Sequence, residues 1–110
     1  MKNISVILTL ISALTAFSAW ADDAPVVNLS VKGGHFSPEK VEAPAGKKFQ
    51  LVVKNEGPGA EEFESSDLNR EKVIAPGKTL TIFLGPLNPG SYKFVGEYHE
   101  DTAKGMIVVK

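Results

Sequence analysis

No cysteine occurs in the 110 residues of this chain, which excludes disulfide frameworks, iron–sulfur clusters, zinc-thiolate sites and a thiol nucleophile. An excess of charge is missing as well. Twelve lysines and arginines stand against 13 aspartates and glutamates, for a net charge of -1. Without a long basic run there is nothing to hold a phosphate backbone, so the chain is expected to bind no nucleic acid. Helical periodicity is absent: no window repeats apolar residues at a spacing of 3.6, and only Ser66-Asp67-Leu68-Asn69 offers a short helical turn. There is also no nucleophile elbow, no glycine-rich phosphate loop leading into a helix and no zincin helix. The length fits one small domain with little room for a deep substrate cleft.

The N-terminus is a different kind of segment. Lys2 precedes an uncharged run from Ile4 to Phe17, followed by Ala19-Trp20-Ala21 and the acidic pair Asp22-Asp23. A positive start, an apolar stretch and small residues at the two positions a signal peptidase reads predict a secretory signal over 1–21. The run falls short of the ~20 apolar residues that span a bilayer. The expected product is a soluble, exported domain over 22–110, at most peripheral to the membrane. In a Gram-negative cell its address is the periplasm.

The domain over 22–110 reads as all-β. Val27, Leu29 and Val31 alternate with polar residues until Gly33-Gly34 stops them, and Phe49, Leu51 and Val53 repeat the pattern. Leu80, Ile82 and Leu84 form a third such run, Tyr92 and Phe94 a fourth, and Ile107-Val108-Val109 closes the chain. Between them lie Pro44-Ala45-Gly46, Glu56-Gly57-Pro58-Gly59, Pro76-Gly77 and Asn88-Pro89-Gly90, all turn chemistry. Seven or so short strands with frequent turns predict a Greek-key β-sandwich of two sheets. Tyr92, delivered by the Asn88-Pro89-Gly90 turn, is placed to bond its hydroxyl back to that connection. Met106 shares a face with Val108 and reads as core filler rather than a thioether ligand.

Metal-capable side chains gather at strand ends. The two histidines are His35 and His99, and the acidic residues crowd Glu61-Glu62-Phe63-Glu64 and Glu97-Tyr98-His99-Glu100-Asp101. Strands of like direction end at one pole of a sandwich, so both segments are expected to meet there. By alternation Glu61 shares the inward face with Phe63, whereas Glu62 and Glu64 point the other way. The candidate metal ligands are therefore His99, Glu61, His35, Glu97, Asp101, Glu62 and Glu64. Carboxylates with one or two imidazoles suit Cu(II), iron, manganese or zinc rather than Cu(I). Each candidate also has a plain reading, as a solvated loop residue or as a charge that keeps an edge strand from pairing. A metal-free module whose acidic pole docks a basic partner is the competing class.

Gly90-Ser91-Tyr92-Lys93-Phe94, then His99, then the run from Ala103 to Val109 resembles the C-terminal copper-binding signature of the cupredoxins, G-x-Y-x-F-x-C-x-x-H followed by a methionine and a closing strand. On that match His99 takes the place of the second histidine, Gly96 of the cysteine, Ala103 of the axial methionine and Glu61 of the first histidine. A chain without cysteine cannot make the copper–thiolate bond of a blue site. Within the cupredoxins the chain is similar to EfeO-type cupredoxin-like domains through His35-Phe36-Ser37-Pro38-Glu39, Glu61-Glu62-Phe63-Glu64, Arg70-Glu71-Lys72 followed by Pro76-Gly77, Gly85-Pro86-Leu87 and the ending from Glu100 to Gly105. The resemblance implies a periplasmic metal-binding protein of a ferrous-iron uptake system, its cofactor Cu(II) or iron in a non-blue site. It further implies an iron permease or another component of that system as partner. Ferroxidase-like assistance, in which a bound metal takes an electron from Fe(II), is left open by the sequence.

Overall fold

The computed structural model describes residues 24–110, so the expected signal segment lies outside the described residues. Nine strands follow in order: β1 (Val26–Lys32), β2 (His35–Ser37), β3 (Lys40–Ala43), β4 (Phe49–Asn55), β5 (Glu61–Ser65), β6 (Arg70–Ile74), β7 (Thr79–Leu84), β8 (Gly90–Gly96) and β9 (Lys104–Val109). Among the described residues a 3-10 turn, Glu97–His99, joins β8 to the last connection. The strands form two sheets, β2-β1-β4-β7 and β3-β9-β8-β5-β6. The sandwich is thus the one expected, with a difference in pairing. β1 runs parallel to β4 and β3 parallel to β9, so both sheets are mixed rather than purely antiparallel.

Alternation decides what faces inward. Val27, Leu29 and Val31 of β1 pack with Phe49, Leu51 and Val53 of β4 from one sheet, and Phe63, Phe94, Ile107 and Val109 come from the other. All are almost fully removed from solvent, the burial that drives a sandwich to close. Three phenylalanines form the centre. Phe94 lies edge-on to Phe36 at 4.9 Å between centroids and tilted against Phe63 at 5.2 Å. Phe63 stands two residues inward from Glu61 and Phe94 two residues inward from Gly96, so this aromatic layer supports the pole where those two residues lie.

The Tyr92 hydroxyl donates to the Asn88 carbonyl at 2.8 Å, pinning the turn as the sequence predicts. Met106 departs from expectation. Ile107 and Val109 point inward, which puts Met106 and Val108 on the outer face of the second sheet, half-buried and outside the core. The segment Ser66-Asp67-Leu68-Asn69 makes a tight turn between β5 and β6 rather than a helix, with the Asn69 amide donating to the Ser66 carbonyl at 3.2 Å.

Candidate metal centre

Glu61 opens β5 with its side chain inward, and His99 ends the 3-10 turn that follows β8. The two meet across 38 residues of sequence: His99 Nδ1 lies 2.9 Å from both Oε1 and Oε2 of Glu61. Burial is unequal. The carboxylate side chain is 3% exposed and the imidazole 47%. A carboxylate so deeply placed needs a hydrogen-bonded partner, and the imidazole supplies it.

The surroundings explain why the pair fits. The loop between β4 and β5 is folded by Asn55, a buried side chain whose Nδ2 donates to the carbonyls of Gly59 and Ile74 at 2.9 and 2.8 Å, and whose Oδ1 accepts from the Gly57 amide at 2.8 Å. This brings the start of β5 to the pole. On the opposite side, Gly34 has φ +80, and a β-carbon there would lie 2.9 Å from Cγ of His99. Only glycine lets this turn adopt that conformation while its backbone touches the ring. Beneath the pair stands Gly96, where an added β-carbon would lie 2.8 Å from Cδ of Glu61 and 2.7 Å from Cβ of Ala103. A cavity of about 280 Å³ opens beside the two side chains, walled by the glycines of the 33–34 and 57–59 turns.

The other sequence candidates divide. His35 begins β2 on the outer face of its sheet, opposite Lys32, while Phe36 takes the inner position. Asp101 lies exposed in the connection after the 3-10 turn, lining a shallow depression with Glu97, Glu100 and His99. Glu62 and Glu64 face outward from β5. There Glu62 and Glu97 meet a residue absent from the sequence candidates, Glu71, with carboxylate oxygens all within 4.8 Å of one another. Glu71 stands directly opposite Glu64 in the β5–β6 hairpin, so its proximity comes from register and carries no mark in the sequence.

Loss of solvent and crowding of like charge act together on this face. Glu62 is held above the ordinary carboxylate range by loss of solvent, by its hydrogen bond with Glu71 and by the charges of Glu71, Glu97 and Glu64. Glu97 is raised as well, through loss of solvent and the charges of Glu64, Glu71 and Glu100. The folded state thus keeps protons that the unfolded chain has released, so the cluster costs stability as pH rises through the carboxylate range. Glu71→Gln is expected to raise the thermal midpoint near pH 7 and to move the Glu62 titration toward its ordinary range. The gain should shrink on acidification as the carboxylates become neutral in both proteins. Calorimetry at several pH values checks the first outcome and NMR titration the second; an equal gain at all pH values would contradict the electrostatic cause.

The profile of the cupredoxin-like domain matches residues 4–109, a span that includes every strand and both members of the Glu61–His99 pair. The chain belongs to the cupredoxin-like family. An uncharacterized protein of Rickettsia prowazekii (strain Madrid E) is 42% identical over 88 residues, covering 80% of this chain and 70% of the relative. Among solved structures, reduced auracyanin of Roseiflexus castenholzii superposes with a TM-score of 0.65 at 15% identity, covering 79% of this chain and 98% of that one. The metal-binding domain of the Cu(I)-exporting P-type ATPase of Streptococcus pneumoniae, solved with Cu(I), gives a TM-score of 0.65 at 14% identity, with 77% and 84% covered. At such identities the likeness is one of fold.

The neighbour solved with Cu(I) raises the question of whether copper fits here. Glu61, Gly96, His99 and Ala103, the four positions matched to the cupredoxin ligands, do converge. Their chemistry does not make a type 1 blue site. The thiolate is absent, and the Glu61 carboxylate and the Ala103 methyl leave no room for even a β-carbon at Gly96. Oxygen and imidazole donors remain, which suit a divalent ion of borderline or hard character.

Proposed function

We propose that this cupredoxin-like protein acts in the periplasm as a non-blue metal-binding protein, holding Cu(II) or iron at the Glu61–His99 pole and serving ferrous-iron uptake. The observation that carries the reading is the buried Glu61 carboxylate paired with a half-exposed imidazole at the convergence of the four matched positions. A buried carboxylate held by a hydrogen bond, beside an imidazole open to solvent, is an arrangement suited to a cation that comes and goes. Carboxylates and water exchange quickly on such ions, as delivery to a permease requires. The iron assignment draws its support from the resemblance to EfeO-type domains and from a donor set without sulfur.

Calorimetric titration with Cu(II) and, under anaerobic conditions, Fe(II) tests the reading. His99→Ala is expected to weaken binding by at least about ten-fold, since loss of groups even one layer behind a ligand costs roughly 10–100-fold. In cells, deletion should impair growth on scarce ferrous iron, and iron excess should restore it. The outward carboxylates Glu62, Glu64, Glu71 and Glu97 favour a second reading, a face that docks a basic partner surface. A deletion that fails while His99→Ala grows as wild type would select that second reading.

A further inference from the structure

Contacts on two sides of the His99 ring leave one edge open. Nδ1 faces the Glu61 carboxylate at 2.9 Å from each oxygen. Gly34 covers the Cγ–Cδ2 edge, where its missing β-carbon would lie 2.9 and 3.0 Å from those atoms. The Gly34 peptide is itself fixed, because the Thr102 hydroxyl donates to its carbonyl at 2.7 Å. The turn carrying the ring is held too: the Ala103 and Thr102 amides donate to the His99 carbonyl at 2.8 and 3.1 Å. The Cε1–Nε2 edge remains, on a side chain 47% exposed, and Nε2 has no hydrogen-bond partner among the described residues.

The geometry of the contact selects the ring tautomer. A carboxylate oxygen accepts, so the ring nitrogen that faces two of them is the one that donates, and one N–H shared between two oxygens accounts for the two equal distances. A neutral ring that carries its proton on Nδ1 has its lone pair on Nε2. Metal ions bind through the lone pair. We propose that the metal meets this protein from outside the pole, on Nε2 of His99, with Glu61 behind the ring as a positioning residue rather than a ligand.

This inference rests on the metal-binding reading and turns the site inside out relative to the four matched positions. It also gives Glu97, Glu100 and Asp101 a part, because they line a depression at this pole together with His99. Their carboxylates and water complete the shell of an oxygen-seeking cation, and their charge raises its local concentration. A carboxylate hydrogen-bonded to the far nitrogen of a ligating histidine fixes the ring tautomer and strengthens the donor.

Long-range proton–nitrogen NMR on the uniformly nitrogen-15-labelled protein at about pH 8, above the usual imidazole range, tests the assignment, with Zn(II) as a diamagnetic probe. The free protein should show His99 as the Nδ1–H tautomer, and zinc should shift the Nε2 resonance while Nδ1–H persists. Glu61→Gln should let both tautomers appear and weaken zinc binding by about ten-fold, with Nε2 still the nitrogen that moves; His99→Ala should abolish the response. An Nε2–H tautomer in the free protein, or loss of the Nδ1 proton on zinc addition, overturns the outside site and leaves the metal reading standing. No zinc-dependent change at either nitrogen overturns both.

Discussion

Combining Glu61→His, Gly96→Cys and Ala103→Met is expected to turn the Cu(II)-loaded protein intensely coloured, whereas the native chain with Cu(II) stays pale. The colour of a blue site comes from a thiolate bonded to copper between two imidazoles, and His99 already supplies one of these. Three changes are needed because the thiolate must be joined by a second imidazole at 61 and a thioether at 103, while the β-carbon at 103, which methionine retains, still has to yield to the new side chain at 96. Gly96→Cys alone places a β-carbon against the Glu61 carboxylate and 2.7 Å from the Ala103 methyl. Overpacking of this kind costs about 1–3 kcal/mol, so the single variant should lose stability and gain no colour. Absorption spectra of the native, single and triple proteins, with circular dichroism to confirm folding, check each step. A folded but colourless triple variant would show that the four positions do not open into a ligand set around a metal.

Phe94→Ala is expected to have the largest effect on stability, about 3–5 kcal/mol. Its ring is 1% exposed and touches both other members of the aromatic layer, so truncation leaves a void that neighbours on two sheets cannot fill together. Small domains hold about 5–15 kcal/mol in all, and a loss of this size should bring the urea midpoint close to zero in a protein at the lower end. Phe83→Ala serves as the comparison: that ring is 66% exposed on β7, and its removal should change stability by less than about 0.5 kcal/mol. Similar losses in both variants would contradict the division between core and surface.

The strands that could be read from the sequence are those whose alternation is complete. β1, β4 and β7 each place apolar side chains at every second position, and the structure buries those positions, Leu80 only in part. β6 was illegible for the opposite reason: of Arg70–Ile74 only Ile74 is buried, so an edge strand left almost no hydrophobic trace. Met106 shows a third limit. An unbroken run such as Ile107-Val108-Val109 does not disclose its phase, and the structure turns Ile107 and Val109 inward and Met106 outward with Val108. At the pole, the inward direction of Glu61 followed from its spacing to Phe63, and its meeting with His99 followed from topology. Partners brought by register were invisible, because nothing in Glu71 announces that it faces Glu64. The role of Gly34 was half visible: a glycine pair marks the end of β1, but the ring its backbone touches is 65 positions further along the chain.

The parallel pairing of β3 with β9 also dictates an order of events. Residues 40–43 find their partners only in 106–109, so the second sheet has no complete edge until β9 has been synthesised. Pairings of such sequence separation form slowly and late. A nascent chain that has not yet reached β9 has β8 without that neighbour and the His99 turn without the strand that follows it. The pole is therefore assembled only once β1 to β9 are all free to fold together, and the Glu61–His99 pair forms with the last strand rather than ahead of it.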